Sequence, residues 1–82
     1  MYYLYMLECA DGTLYTGIAT NLERRLEEHN SSPRGAKYTR ARRPVKLVYT
    51  EAYKDRSSAS KREYEIKKKM NREEKLRLFQ TP

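Results

Sequence analysis

Tyr5 and Tyr15 are ten residues apart, and Arg25 follows after another ten. His29, the only histidine, comes one helical turn later, and Glu63 stands far downstream. Two phenols, a guanidinium, an imidazole and a carboxylate form a set suited to metal-assisted hydrolysis of a phosphodiester. A phenol or an imidazole can handle a proton of an attacking water. A guanidinium fork bonds phosphate oxygens. Each residue also has an ordinary reading: core rings with wet hydroxyls for the tyrosines, a helix-boundary residue for His29, and a structural ion pair for Arg25 with Glu63. The placement of the elements that carry them decides between these readings.

Residues 2 to 9 and 13 to 19 are β-rich runs around "ADG", a hairpin signal. A two-residue Asp11-Gly12 turn would send Tyr5 and Tyr15 to opposite sides of the sheet. A three-residue loop, Ala10-Asp11-Gly12 with Gly12 left-handed, pairs Leu7 with Tyr15 and Tyr5 with Gly17. Both tyrosines then share a face, and Gly17 leaves space beside Tyr5. The three-residue loop is favoured, although the sequence permits either.

Thr20 can cap a helix from Asn21 to about Asn30, with Glu23 completing a capping box. At about 100° per residue, Leu22, Leu26 and His29 form its buried stripe. Arg25 sits at the edge of the stripe beside His29, whereas Arg24 points to solvent. "SSPRGAK" breaks regular structure, and Pro44 ends a basic loop. Residues 45 to 53 read as a third strand. Asp55, Ser57 or Ser58 can cap a long helix reaching about Met70, and Asn71 with Glu74 can open a short one ending near Phe79. The long helix aligns Ala59, Glu63, Ile66 and Met70, with Glu65 well off that face. Glu63 thus interrupts an apolar stripe, where a carboxylate needs a cation, a metal or strong donors. The fold class is α+β, in the order ββαβαα, with a small antiparallel or mixed sheet covered by helices.

Eighty-two residues, 38% hydrophobic and 35% charged, make one small domain, 1–82, with few apolar groups to spare. Eight tyrosines against one phenylalanine and no tryptophan supply core area with polar tips. The single cysteine forms no intrachain disulfide, and "MYYLYML" is too short for a signal segment or a membrane span. A reducing cytoplasm is the expected location. The net charge of +7 points to a polyanion, most simply nucleic acid, against the alternative of a basic surface with no partner. No acidic residue lies between His29 and Thr50, where Arg34, Lys37, Arg40, Arg42, Arg43 and Lys46 stand as nucleic-acid contacts.

"YLY" (3–5), "YTG" (15–17), Arg25 and the glutamate of a later helix together resemble the GIY-YIG nuclease superfamily, through nearly the whole chain. "GAKYTRARRPVKLVY" and "REYEIKKKM" are similar to its small, stand-alone bacterial members in particular. The resemblance implies a three-stranded sheet flanked by helices and a site using one divalent ion, Mg2+ or Mn2+. It assigns Tyr5 and Tyr15 to the two motif tyrosines, Arg25 to the catalytic arginine, His29 to the position one turn beyond it, and Glu63 to the metal ligand. In that frame Glu63 holds the metal and Arg25 stabilises charge developing on the phosphate. Tyr15 positions or deprotonates the water, while Tyr5 and His29 orient it or relay its proton.

Three departures stand out. Tyr3 occupies a position where many members have glycine, and Ile18 stands where the nucleotide-excision-repair members carry a lysine. Asn71 is wrongly spaced to replace the asparagine that several members place after the glutamate helix. The expected activity is a metal-dependent endonuclease acting on nucleic acid, with DNA first. Its specificity lies in structure or damage, comes from a partner protein, or is low. The rival reading is a non-catalytic nucleic-acid-binding module that retains the fold. A structural adaptor with an incidental basic surface is a weaker third.

Overall fold

The hairpin closes through the three-residue loop. In the computed structural model, which describes residues 1–31 and 33–80, Gly12 takes φ +84°, the left-handed region that glycine enters without steric cost. Its N–H donates to the Cys9 carbonyl at 2.9 Å, and the Cys9 N–H to the Thr13 carbonyl at 2.8 Å. Strands β1 (Tyr2–Glu8) and β2 (Leu14–Ala19) pair antiparallel, with Leu7 opposite Tyr15 and Tyr5 opposite Gly17. Strand β3 (Lys46–Tyr53) pairs antiparallel with the other side of β1, giving the order β2-β1-β3. The sheet is therefore wholly antiparallel, which closes the choice left open above.

As the central strand, β1 is covered on both faces, so Leu4, Tyr5, Met6 and Leu7 are all at most 2% exposed. Its alternate residues feed two cores. Tyr5, Leu7 and Cys9 join Val45, Leu22 and Leu26 under helix α1 (Leu22–Ser31). Leu4 and Met6 join Ile66, Met70, Leu78 and Phe79 under helices α3 (Arg56–Lys69) and α4 (Arg72–Arg77). Burial of Ile66 alone contributes about 1.5–3 kcal/mol. The result is α+β, with helices on both sides of a three-stranded sheet.

Asp55 is the α3 cap, accepting from the Ser58 N–H at 2.7 Å, and Asn71 with Glu74 forms a full capping box on α4. Thr20 is not the cap of α1. Asn21 Oδ1 accepts the Arg24 N–H at 3.0 Å, so the capping position falls one residue later and Glu23 closes no box with Thr20. The basic loop also differs from the expectation. A single-turn helix, α2 (Lys37–Arg40), forms within it, with the Ala36 carbonyl accepting from Thr39 and Arg40. Ser32, in the "SSPRGAK" stretch, and Thr81 and Pro82 lie outside the described residues.

Two tethers set α1 and α2 against the sheet. The Asn30 amide bonds both the carbonyl and the N–H of Val45, at 3.0 and 2.7 Å. Arg42 pairs with Asp11 of the hairpin loop at 3.0 Å, while its carbonyl takes the Ala10 N–H at 2.9 Å.

Candidate functional site

Tyr5 crosses β2 at Gly17, where a methyl group would lie 2.5 Å from the Tyr5 hydroxyl. The ring occupies the space that only glycine leaves. Behind it, α1 presents His29 and Arg25 on one edge. The Tyr5 hydroxyl is 2.7 Å from His29 Nε2 and accepts from Arg25 Nε at 3.4 Å. Helical phase separates the two arginines as expected: the Arg24 side chain is 69% exposed and that of Arg25 28%. Arg25 Nη1 is held by Glu28 Oε1 and by the Arg34 carbonyl, both at 3.0 Å. Among the described residues, its Nη2 has no hydrogen-bond partner.

Tyr15 completes the cluster on the same sheet face. Its ring centroid lies 6.4 Å from that of Tyr5 and 5.2 Å from that of His29, edge-on to the imidazole. Tyr5, Tyr15, Gly17, Arg25 and His29 are thus brought together.

The pocket around Tyr5 and His29 keeps both neutral. Burial pushes the Tyr5 phenol up to about 12, although the Arg25 hydrogen bond works the other way. Burial, reinforced by the Arg25 charge, pushes the His29 imidazole down to about 4. Glu28 stays ionised because the Arg25 guanidinium bonded to it holds its carboxyl below the usual range.

Glu63 approaches from α3. It is the half-buried member of a face whose Ala59 and Ile66 are fully buried, and its negative charge adds to burial in raising the Tyr5 phenol. Glu65 is 51% exposed, off that face. Lys67, one turn beyond Glu63, sits 3.4 Å from its Oε2 and 5.5 Å from the Tyr15 ring centroid. Among the described residues no group of three or more His, Cys, Asp or Glu is arranged to hold a metal ion. Glu63 therefore offers one hard oxygen ligand. That suits an ion keeping most of its shell as water and phosphate oxygen.

Three further residues touch the site that the pattern of residue types did not single out. Thr39 is fully buried, its hydroxyl 2.8 Å from His29 Nδ1. Tyr38 stacks on Tyr15 at 5.9 Å, and the Arg42 guanidinium lies 3.9 Å over the Tyr38 ring. Lys67 is the third. Its clue in the sequence was its i,i+4 spacing from Glu63. The others lie in a one-turn helix too short for any periodicity to reveal.

The basic segment divides by use. Lys37 and Arg40 on α2, and Arg34 before it, are exposed. Arg43 instead donates to the His29 and Glu28 carbonyls, closing the end of α1. Arg42 is engaged by Asp11 and the Tyr38 carbonyl, and Lys46 pairs with Glu8 at 3.3 Å.

The model of the GIY-YIG catalytic domain matches residues 1–77. A UPF0213 protein of Desulfotalea psychrophila is 67% identical over 66 residues, spanning 80% of this chain and 60% of that protein. The chain thus covers less than two thirds of that relative. Another UPF0213 protein, of Syntrophus aciditrophicus, is 58% identical over 77 residues, 94% of this chain and 87% of that protein. Among solved structures, the UPF0213 protein from Bacillus halodurans has a TM-score of 0.56 at 46% identity, covering 92% of this chain and 79% of its own. A protein from E. faecalis has a TM-score of 0.61 at 49% identity, covering 90% and 77%. The names of these relatives assign no activity.

Proposed function

This chain belongs to the GIY-YIG catalytic domain family, and we propose from that premise that it is a divalent-metal-dependent endonuclease that hydrolyses phosphodiester bonds, with DNA as its substrate. The observation that carries the reading is the Arg25 guanidinium. It is anchored by Tyr5, Glu28 and the Arg34 carbonyl, keeps Nη2 unengaged among the described residues, and bonds a phenol whose ring neighbours that of Tyr15. A surface hollow lined by Ile18, Asn21, Arg24, Arg25 and Glu28 opens next to it. A phosphate there takes a charge-assisted bond from an arm whose position needs no reorganisation.

Glu63 would hold Mg2+ or Mn2+ in place of its ion pair with Lys67. When bound, the ion polarises the phosphate and stabilises the leaving oxygen. The chain's own groups do the remainder. A phenol at about 12 does not hand its proton to an imidazole at about 4, so neither relays a proton: Tyr5 would orient the water, and His29, its two ring nitrogens engaged by Tyr5 and Thr39, would hold Tyr5. Tyr15, on the same sheet face, would position the attacking water through its hydroxyl. Exposed Lys37 and Arg40 would contact the nucleic-acid backbone, which positions the strand without reading its sequence.

One observation favours a non-catalytic nucleic-acid-binding module instead. Lys67 already satisfies the Glu63 carboxylate without a metal. The two readings separate on a panel of nicked, branched and single-stranded DNA and RNA, incubated with Mg2+, Mn2+ or chelator. The nuclease reading expects cleavage that chelator stops. Salt-sensitive binding with no cleavage under any condition supports the module.

A further inference from the structure

The Thr39 hydroxyl has one hydrogen, and its position can be assigned. Its contact with the Ala36 carbonyl at 2.9 Å is one in which the hydroxyl donates, alongside the Thr39 and Arg40 N–H groups that the same carbonyl accepts, and we place the hydrogen there rather than on the His29 side. The Thr39 oxygen is then the acceptor toward His29 Nδ1 at 2.8 Å. His29 is neutral near pH 7 and carries a single ring hydrogen, which this contact holds on Nδ1. Nε2 is left as a bare lone pair, and Tyr5, at 2.7 Å, must donate its hydroxyl hydrogen to it. The Arg25 contact agrees, because a guanidinium can only donate, and it donates to the Tyr5 oxygen.

We propose that Thr39 is a positioning residue that sets the hydrogen-bond polarity of Tyr5, turning the phenol hydrogen inward to His29 so that the site meets the oxygen lone pair left by the Arg25 contact rather than a hydrogen. The series runs Arg25, Tyr5, His29, Thr39, Ala36 and ends on a backbone carbonyl, which takes no proton. It is a set of aligned dipoles and carries no proton out of the site. Thr39 is placed for this by α2, and α2 can approach α1 because residue 35 is glycine: a methyl group there would lie 2.6 Å from the Glu28 carbonyl. Without the Thr39 oxygen the ring is free to carry its hydrogen on Nε2. It would then donate to Tyr5, and the phenol hydrogen would swing into the site.

The consequence for catalysis rests on the nuclease reading above. An attacking water held by an acceptor has both lone pairs free and gains electron density on its oxygen, whereas one held by a donor has one of them engaged and is the weaker nucleophile. The assignment itself needs no activity. Long-range 1H–15N correlation of the His29 ring in 15N-labelled wild-type protein reads the tautomer directly. Nδ1–H is expected in wild type and in Thr39→Ser, with conversion to Nε2–H or a mixture in Thr39→Val. Cleavage should fall tenfold or more in Thr39→Val and recover in Thr39→Ser. Nε2–H in wild type, or an unchanged Nδ1–H pattern in folded Thr39→Val, overturns the proposal. The assigned tautomer in a protein that cleaves no substrate upholds the polarity and removes the nuclease reading instead.

Discussion

The Tyr5 hydroxyl and His29 Nε2 lie 2.7 Å apart between two buried rings, and burial pushes their ionisations in opposite directions. This contact joins the central strand to α1 and organises the site around two neutral groups.

The first consequence is acid sensitivity. The unfolded chain binds a proton at His29 below its ordinary value of 6.5, whereas the folded chain refuses it until about 4. The His29 contribution is fully present above 6.5 and is lost as pH falls through that window, by on the order of 3 kcal/mol at most. Urea midpoints at pH 7.5, 5.5 and 4.5 should decline in wild type, and decline less between the first two in His29→Gln. Equal declines would assign the loss to other groups.

Gly17→Ala should damage both stability and activity. The added methyl group meets the Tyr5 hydroxyl at 2.5 Å and its ring carbon at 2.7 Å, and the His29 bond gives the ring little freedom to move. A cost of about 1–3 kcal/mol is expected, with cleavage falling along with it. Denaturant melts and rates on the same preparation check this, and a wild-type midpoint would show the ring adapts.

Neighbouring arginines should behave differently. Arg25→Ala removes the anchored guanidinium and should lower the cleavage rate by about a hundredfold. Arg24→Ala, at a 69% exposed side chain on the rim of the hollow, should lower it far less. Single-turnover rates decide, and matching losses would refute the assignment by helical phase.

On the metal-dependent reading, Lys67 would compete with the ion for Glu63. Removing its charge in Lys67→Met should tighten Mn2+ binding severalfold in calorimetric titration, because the carboxylate loses its ammonium partner at 3.4 Å. Unchanged or weaker binding would mean that the pair does not guard the metal position.

The basic segment predicts a second contrast. Replacing exposed Lys37 and Arg40 with alanine should reduce the slope of log affinity against log salt by up to about two. Arg43→Ala should instead destabilise the fold, because Arg43 bonds the carbonyls ending α1. Binding isotherms at several salt concentrations, read beside melting curves, test both.

Much of this arrangement was legible because it follows from periodicity. Gly12 selected the three-residue hairpin loop, and with it the shared face of Tyr5 and Tyr15. Helical phase chose Arg25 over Arg24, and placed Glu63 on a packing face and Glu65 off it. Short range and tertiary contact hid the rest. Thr20 and Asn21 are both good caps, and only the hydrogen bond to Arg24 shows which one acts. Thr39 lies in one turn of helix, with no pattern to mark its burial. The run of arginines looked uniform, while Arg42 and Arg43 are engaged by Asp11 and the end of α1.

The central claim is that Glu63 holds the metal of a hydrolytic site whose transition state is stabilised by Arg25. The most direct measurement is the single-turnover cleavage rate of a branched DNA in Mg2+, for wild type and Glu63→Gln purified in parallel. Cleavage by wild type that falls at least a hundredfold in a folded Glu63→Gln is expected. Equal rates in the two proteins would contradict the account.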